Sequence, residues 1–100
     1  MNREEFEQHI KDLAHKATLE EVQAYWDKEV EKEESHWGKN NFWAEMARKA
    51  RDGALKDYQE GKPVRFYREY DHFGYGWYGE DVTADLFSDG TYSFEYHSSD

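Results

Sequence analysis

Up to about Gln59 the apolar residues recur with the period of a helix, and from Val64 onward with the period of a strand. Phe6, Ile10, Leu13, Ala14 and Ala17 fall on one helical face, and Asn2 three residues before Glu5 is a capping-box signature, which predicts a helix over about 3–16. Thr18 and Glu21 repeat the signature. Leu19, Val22, Trp26 and Val30, with Trp37 beyond them, then form the stripe of a second helix over about 19–35, whose other faces are crowded with Asp27, Glu29, Glu31, Glu33 and Glu34. A third helix, over about 41–60, starts at Asn40 or Asn41 and offers Trp43, Met46, Ala47, Ala50, Ala54 and Tyr58 to a core. Gly61 and Pro63 stop it. Glycine inside a helix costs about 1 kcal/mol relative to alanine, so a kink or an early end is expected at Gly53.

After Pro63, Val64, Phe66 and Tyr70 alternate with Arg65, Tyr67 and Glu69, which predicts a strand over about 64–70 with the first set on the apolar face. A second strand covers about 76–87, open to a break near its glycines, and a third about 91–96. The turn at Ser88-Asp89-Gly90 allows two registers. A two-residue turn opposes Asp85 to Phe94 and Leu86 to Ser93; a three-residue loop with Gly90 in the left-handed region opposes Leu86 to Tyr92, Ala84 to Phe94 and Val82 to Tyr96. Only the longer loop gathers the apolar residues on one face, so it is the one predicted. The expected architecture is α+β, with three N-terminal helices packed on a small three-stranded antiparallel sheet formed by the C-terminal third, all in one domain over 1–100. No repeat, low-complexity stretch or linker divides the chain.

The apolar fraction of 37% and the charged fraction of 36% alone lean toward disorder, but 18% aromatic residues and the strong periodicity favour a folded, ring-rich core. There is no cysteine, hence no disulfide, no thiolate nucleophile and no cysteine-based zinc site, and a reducing cytoplasm fits best. No apolar run approaches the ~18 residues that span a bilayer, and the N-terminus has no signal-like segment, so a soluble, unexported protein is expected. The net charge of −10 works against nucleic acid and anionic membrane surfaces as ligands. The partner it favours is a basic protein, and most basic macromolecular surfaces belong to proteins that handle nucleic acid.

Charge is also segregated. From Glu69 to the C-terminus the chain carries eight Asp or Glu and no Lys or Arg. Its densest part, Glu69 to Asp81, combines four acids with five aromatics and three glycines. Glu69, Asp71, Tyr75, Trp77, Tyr78, Glu80, Asp81, Asp85 and Asp89 are therefore the expected partner-binding residues, the acids supplying a field and the rings lasting contact. This depends on the sheet end being free of cations in space: Arg48, Arg51, Arg65 or Arg68 reaching across to neutralise those acids would leave an ordinary mixed exterior and no foundation for an inhibitor.

Other chemistry finds less support. Gly74-Tyr75-Gly76-Trp77-Tyr78-Gly79 spells G-x-G-x-x-G, but it leads into a strand rather than a helix and its acidic neighbours would repel phosphate, so it reads as a bend between strands. Glu69, Asp71, Glu80 and Asp81 could approach one another in a hairpin, yet a small domain has little room for the cleft that paired acid/base carboxylates need. His9, His15, His36, His72 and His97 show no metal-ligand spacing, even with Asp71 and Asp81 beside His72, and no serine sits in a nucleophile motif. No cofactor, metal or catalytic residue is expected. Asp27, Glu31 and Glu34 make a row on the second helix that could imitate phosphate spacing, although Lys28 and Lys32 interrupt it.

The expectation is thus a small, non-enzymatic acidic inhibitor that docks on a nuclease or other nucleic-acid-handling protein and blocks its substrate groove. Anti-restriction, anti-CRISPR and immunity proteins share this profile of size and charge, an analogy that no motif carries. The alternative is an aromatic-rich module for a carbohydrate or small ligand centred on Tyr75, Trp77 and Tyr78.

Overall fold

The computed structural model describes residues 1–75 and 78–98. Three helices, α1 (Arg3–Leu13), α2 (Leu19–Trp37) and α3 (Phe42–Gln59), precede three strands, β1 (Arg65–Tyr75), β2 (Tyr78–Phe87) and β3 (Tyr92–Ser98). The strands form one antiparallel sheet in the order β1-β2-β3.

Side-chain caps start each helix. Asn2 Oδ1 accepts from Glu5 N at 2.8 Å, Asn41 Oδ1 from Trp43 N at 2.8 Å, and Thr18 with Glu21 closes a full capping box. Helix α1 ends at Leu13, earlier than the predicted Lys16. There the chain turns extended at Ala14, and Ala17 N donates to Ser88 O at 3.0 Å while Lys16 bridges to Asp89, so this link follows the β2–β3 turn instead of continuing the helix. Ala17 is buried all the same, as part of that extended link. Helix α3 runs through Gly53 without ending there.

The core lies between α1, the first half of α2 and the inner face of the sheet, and comprises Phe6, Ile10, Val22, Val64, Phe66, Val82, Ala84 and Leu86 with Ala17 and Ala54. The β2–β3 pairs are Leu86 with Tyr92, Ala84 with Phe94 and Val82 with Tyr96, those that the three-residue loop requires. Gly90, at φ +91°, makes that loop possible: Gly90 N donates to Phe87 O at 3.0 Å and Phe87 N to Thr91 O at 2.9 Å.

Strand β1 departs from the simple alternation. Its register slips between Arg65 and Tyr67, so that Phe66 is an extra residue and both Phe66 and Tyr67 turn toward the core. The parity inverts beyond this bulge. Tyr67, Glu69, Asp71 and Phe73 share the inner face with Leu86, Ala84 and Val82, and Tyr70, expected on the apolar face, is exposed on the outer one.

The third helix also departs. Its predicted stripe is covered only in part, because α3 packs mainly on α2 and meets the main core through Ala54, Leu55 and Tyr58 of its last turns. Val30 and Ala44 are buried apart from the main core. Trp43, Met46 and Ala50 remain exposed.

Candidate functional site

The register divides the candidate acids between two faces of the sheet. Glu69 and Asp71 lie opposite Ala84 and Val82, and Glu80 opposite Phe73, so these three share the inner face along the margin of α1. Asp81 and Asp85 lie opposite His72 and Arg68 on the outer face, and Asp89 sits in the β2–β3 turn. Trp77 lies outside the described residues, and of Tyr75 and Tyr78, which face each other across the β1–β2 hairpin, only the backbone is described. The acids therefore make an outer face and a rim rather than one continuous patch.

Two arginines reach them. Arg68 grips Asp85 through Nε at 2.7 Å and Nη2 at 3.0 Å, and this paired bond is the main cause of the raised pKa of the guanidinium. Arg3, far away in sequence at the start of α1, lies 3.2 Å from Glu80. The negative field that chain order suggests is reduced accordingly. The other arginines turn elsewhere: Arg48 to Glu34 at 2.8 Å, Arg51 to Asp27 at 3.4 Å, and Arg65 over the rings of Tyr25 and Trp26. Asp27 and Glu34 are thus neutralised, and the acidic row on α2 keeps only Glu31 without an arginine among the described residues.

The remaining sheet acids meet histidines or hydrogen-bond donors. Glu69 lies 3.2 Å from His9 Nε2 and accepts from the Tyr67 hydroxyl, Glu95 lies 3.4 Å from His97, and Asp81 bonds His72 Nδ1. Burial, helped by Glu69, pushes the Tyr67 phenol up to about 12. The bonds from His72 and then from Tyr70 hold the Asp81 carboxyl below the usual carboxylate range. Asp89, accepting from the hydroxyl and N–H of Thr91, is lowered too. Both carboxylates therefore stay charged to lower pH than a free aspartate.

A hollow of about 310 Å³ lined by Leu13, His15, Glu21, Ala24, Phe66, Tyr67 and Leu86 lies beside the α1–α2 link. His15 looks there like a candidate base. Its Nδ1 is 2.7 Å from Leu13 O and its Nε2 2.7 Å from Glu21 Oε2, and since both neighbours accept, the arrangement suits the doubly protonated ring. The Leu13 carbonyl first, then Glu21, raises its pKa above the ordinary value. A folded-state pKa above the unfolded one gives stability that is fully present below pH ~6.5 and lost as pH rises through the folded pKa. By NMR titration His15 is expected to titrate above the ordinary histidine range, and Glu21→Gln, which preserves the cap, should remove part of that upshift. A titration at the ordinary value in the native protein would show that the clamp does not form.

The sequence pattern did not reveal the exposure of Trp37, Phe42, Trp43 and Met46. A groove of about 330 Å³ between α2 and α3 is lined by Trp26, Glu29, Glu33, Trp43, Met46, Ala47 and Ala50. Periodicity marks this stripe as apolar but does not say whether a third element covers it. Among the described residues no three His, Asp or Glu side chains converge as metal ligands, and no helix is long and apolar enough to cross a membrane. Comparison with protein-family models, curated proteins and solved structures finds no match for the chain.

Proposed function

We propose that the protein is a non-catalytic inhibitor that lays its acidic sheet end on a basic, nucleic-acid-handling protein and covers the groove its substrate would occupy. One observation carries this reading. After Arg3 and Arg68 have made their pairs, Glu69, Asp71, Asp81, Asp89 and Glu95 have no side-chain ion pair with a lysine or arginine among the described residues, and Glu69, Asp81 and Glu95 lie instead beside His9, His72 and His97. Seven carboxylates, Glu69, Asp71, Glu80, Asp81, Asp85, Asp89 and Glu95, thus face two arginines, an excess that supports a negative end. Such a field accelerates encounter with a basic surface, and the exposed Tyr70 ring on the outer face adds contact area.

The test is capture from nuclease-treated lysate, followed by binding kinetics with the captured protein. It should be a basic protein whose nucleic-acid binding is lost when this protein is added, and its association rate should fall about tenfold or more between low and moderate salt. Asp71→Lys with Asp81→Lys should slow association more than reversal at Glu4 and Glu20. Glu7 is no neutral control, since it accepts from Tyr96 and lies 3.5 Å from Arg3. Equal effects at both ends, or capture of partners with no nucleic-acid site, would overturn the reading.

A further inference from the structure

We infer that the groove between α2 and α3 is a second docking site, separate from the sheet end, and that its occupant is a basic amphipathic helix of a partner protein. Its apolar surface is large for a chain of this size: Phe42 is 61% exposed, Trp43 55%, Trp37 49% and Met46 44%. These are ring and thioether side chains of the kinds that concentrate at binding hot spots and adaptable interfaces. Of these, Trp43 and Met46 line the groove, Trp37 follows the lining Glu33 by one helical turn, and the Phe42 ring meets that of Trp43 edge to face at 5.2 Å. At its inner end Trp26 is held in place by its Nε1–H bond to Arg65 O at 2.8 Å. The groove therefore has a fixed end before anything binds.

Charge selects the occupant. The α3 side of the rim is balanced, with Lys49 3.5 Å from Glu45. On the α2 side Glu29 and Glu33 line the groove and have no ion pair among the described residues. A helix bearing Lys or Arg beside an apolar stripe would place cations against these two acids and its large side chains between Trp43 and Met46. Area argues against a second copy of the chain. Three half-exposed rings and Met46 offer on the order of 400 Å² of apolar surface, against the roughly 800 Å² per partner that a stable dimer uses. A lone helix needs no more than such a groove.

The test uses a synthetic helical peptide of leucines at helical spacing with lysines elsewhere, and a twin with glutamates for the lysines, titrated into the full chain by calorimetry. The lysine peptide should bind and the glutamate twin should not. Met46→Lys and the double variant Glu29→Lys with Glu33→Lys should each weaken binding at least tenfold, while retaining native circular dichroism and melting temperature. Asp71→Lys with Asp81→Lys should change it less than threefold, which keeps this site distinguishable from the sheet end. Equal binding of the twin, equal losses on reversal at Glu29 and Glu33 and at Glu4 and Glu20, or a dimer in sedimentation equilibrium that Met46→Lys dissolves would each overturn the inference.

Discussion

Phe6→Ala is expected to lower the stability of the fold by about 3–5 kcal/mol, the range for removing a fully buried ring. Phe6 is wholly buried and joins elements distant in sequence: from α1 it meets Phe73 of β1 edge to face at 5.9 Å and Phe94 of β3 at 6.4 Å. Alanine would leave a cavity where helix and sheet meet and forfeit both ring contacts. For a domain whose total stability is about 5–15 kcal/mol, this is a large share. At about 4 °C or more of melting temperature per kcal/mol, the transition should move down by at least about 12 °C. Phe6→Leu should recover a good part of the loss. Urea unfolding checks this, and a loss below about 1 kcal/mol would mean that α1 is not seated on the sheet as described.

The same ring shows what the sequence could disclose. Phe6 and Ile10 are legible as core because their spacing is local, and so are the helix starts, where Asn2, Thr18 and Asn41 bond to backbone two or three residues away. The β2–β3 register is legible for a related reason: only one pairing puts Val82, Ala84 and Leu86 on the side of Phe94 and Tyr96. The bulge at Phe66 was hidden because Phe66 and Tyr67 are both apolar enough to face inward, so either parity of the strand fits the pattern. That single extra residue sends Glu69 and Asp71 to the inner face and Tyr70 to the outer one.

The candidate site was legible in composition and hidden in geometry. A run without lysine or arginine is visible in the chain, but whether Arg3 and Arg68 reach Glu80 and Asp85 depends on strand pairing and on where α1 lies. Nor can a stripe such as Trp43, Met46 and Ala50 announce that it lacks a covering layer. Helical period records which side is apolar, and the packing of α3 on α2 decides how much of it is covered. The two proposed docking surfaces thus have different origins in the sequence, one in charge segregation and the other in surplus apolar periodicity.

Gly79→Ala and Gly53→Ala are expected to move stability in opposite directions. Gly79 pairs with Gly74 across the β1–β2 hairpin and holds φ at +145°, where side-chain-bearing residues are strained. A Cβ at Gly79 would lie 2.0 Å from Phe73 O and 2.9 Å from Phe73 C, and because both are backbone atoms no side chain can swing aside to admit it. The strands would have to part, disturbing the pairing of Phe73 with Glu80 and thus the contact of Phe73 on Phe6. Backbone strain and overpacking each cost about 1–3 kcal/mol, so a loss of at least about 2 kcal/mol is expected. Gly53 is helical and has nothing within 4 Å of its would-be Cβ, so alanine there should stabilise by about 0.5–1 kcal/mol. Both variants can be measured by urea unfolding, with backbone hydrogen exchange at Phe73 and Glu80 as a local reading for the first. A neutral Gly79→Ala would mean that the hairpin does not bring these backbones so close, and the assignment of Glu69, Asp71 and Glu80 to one face would lose its register.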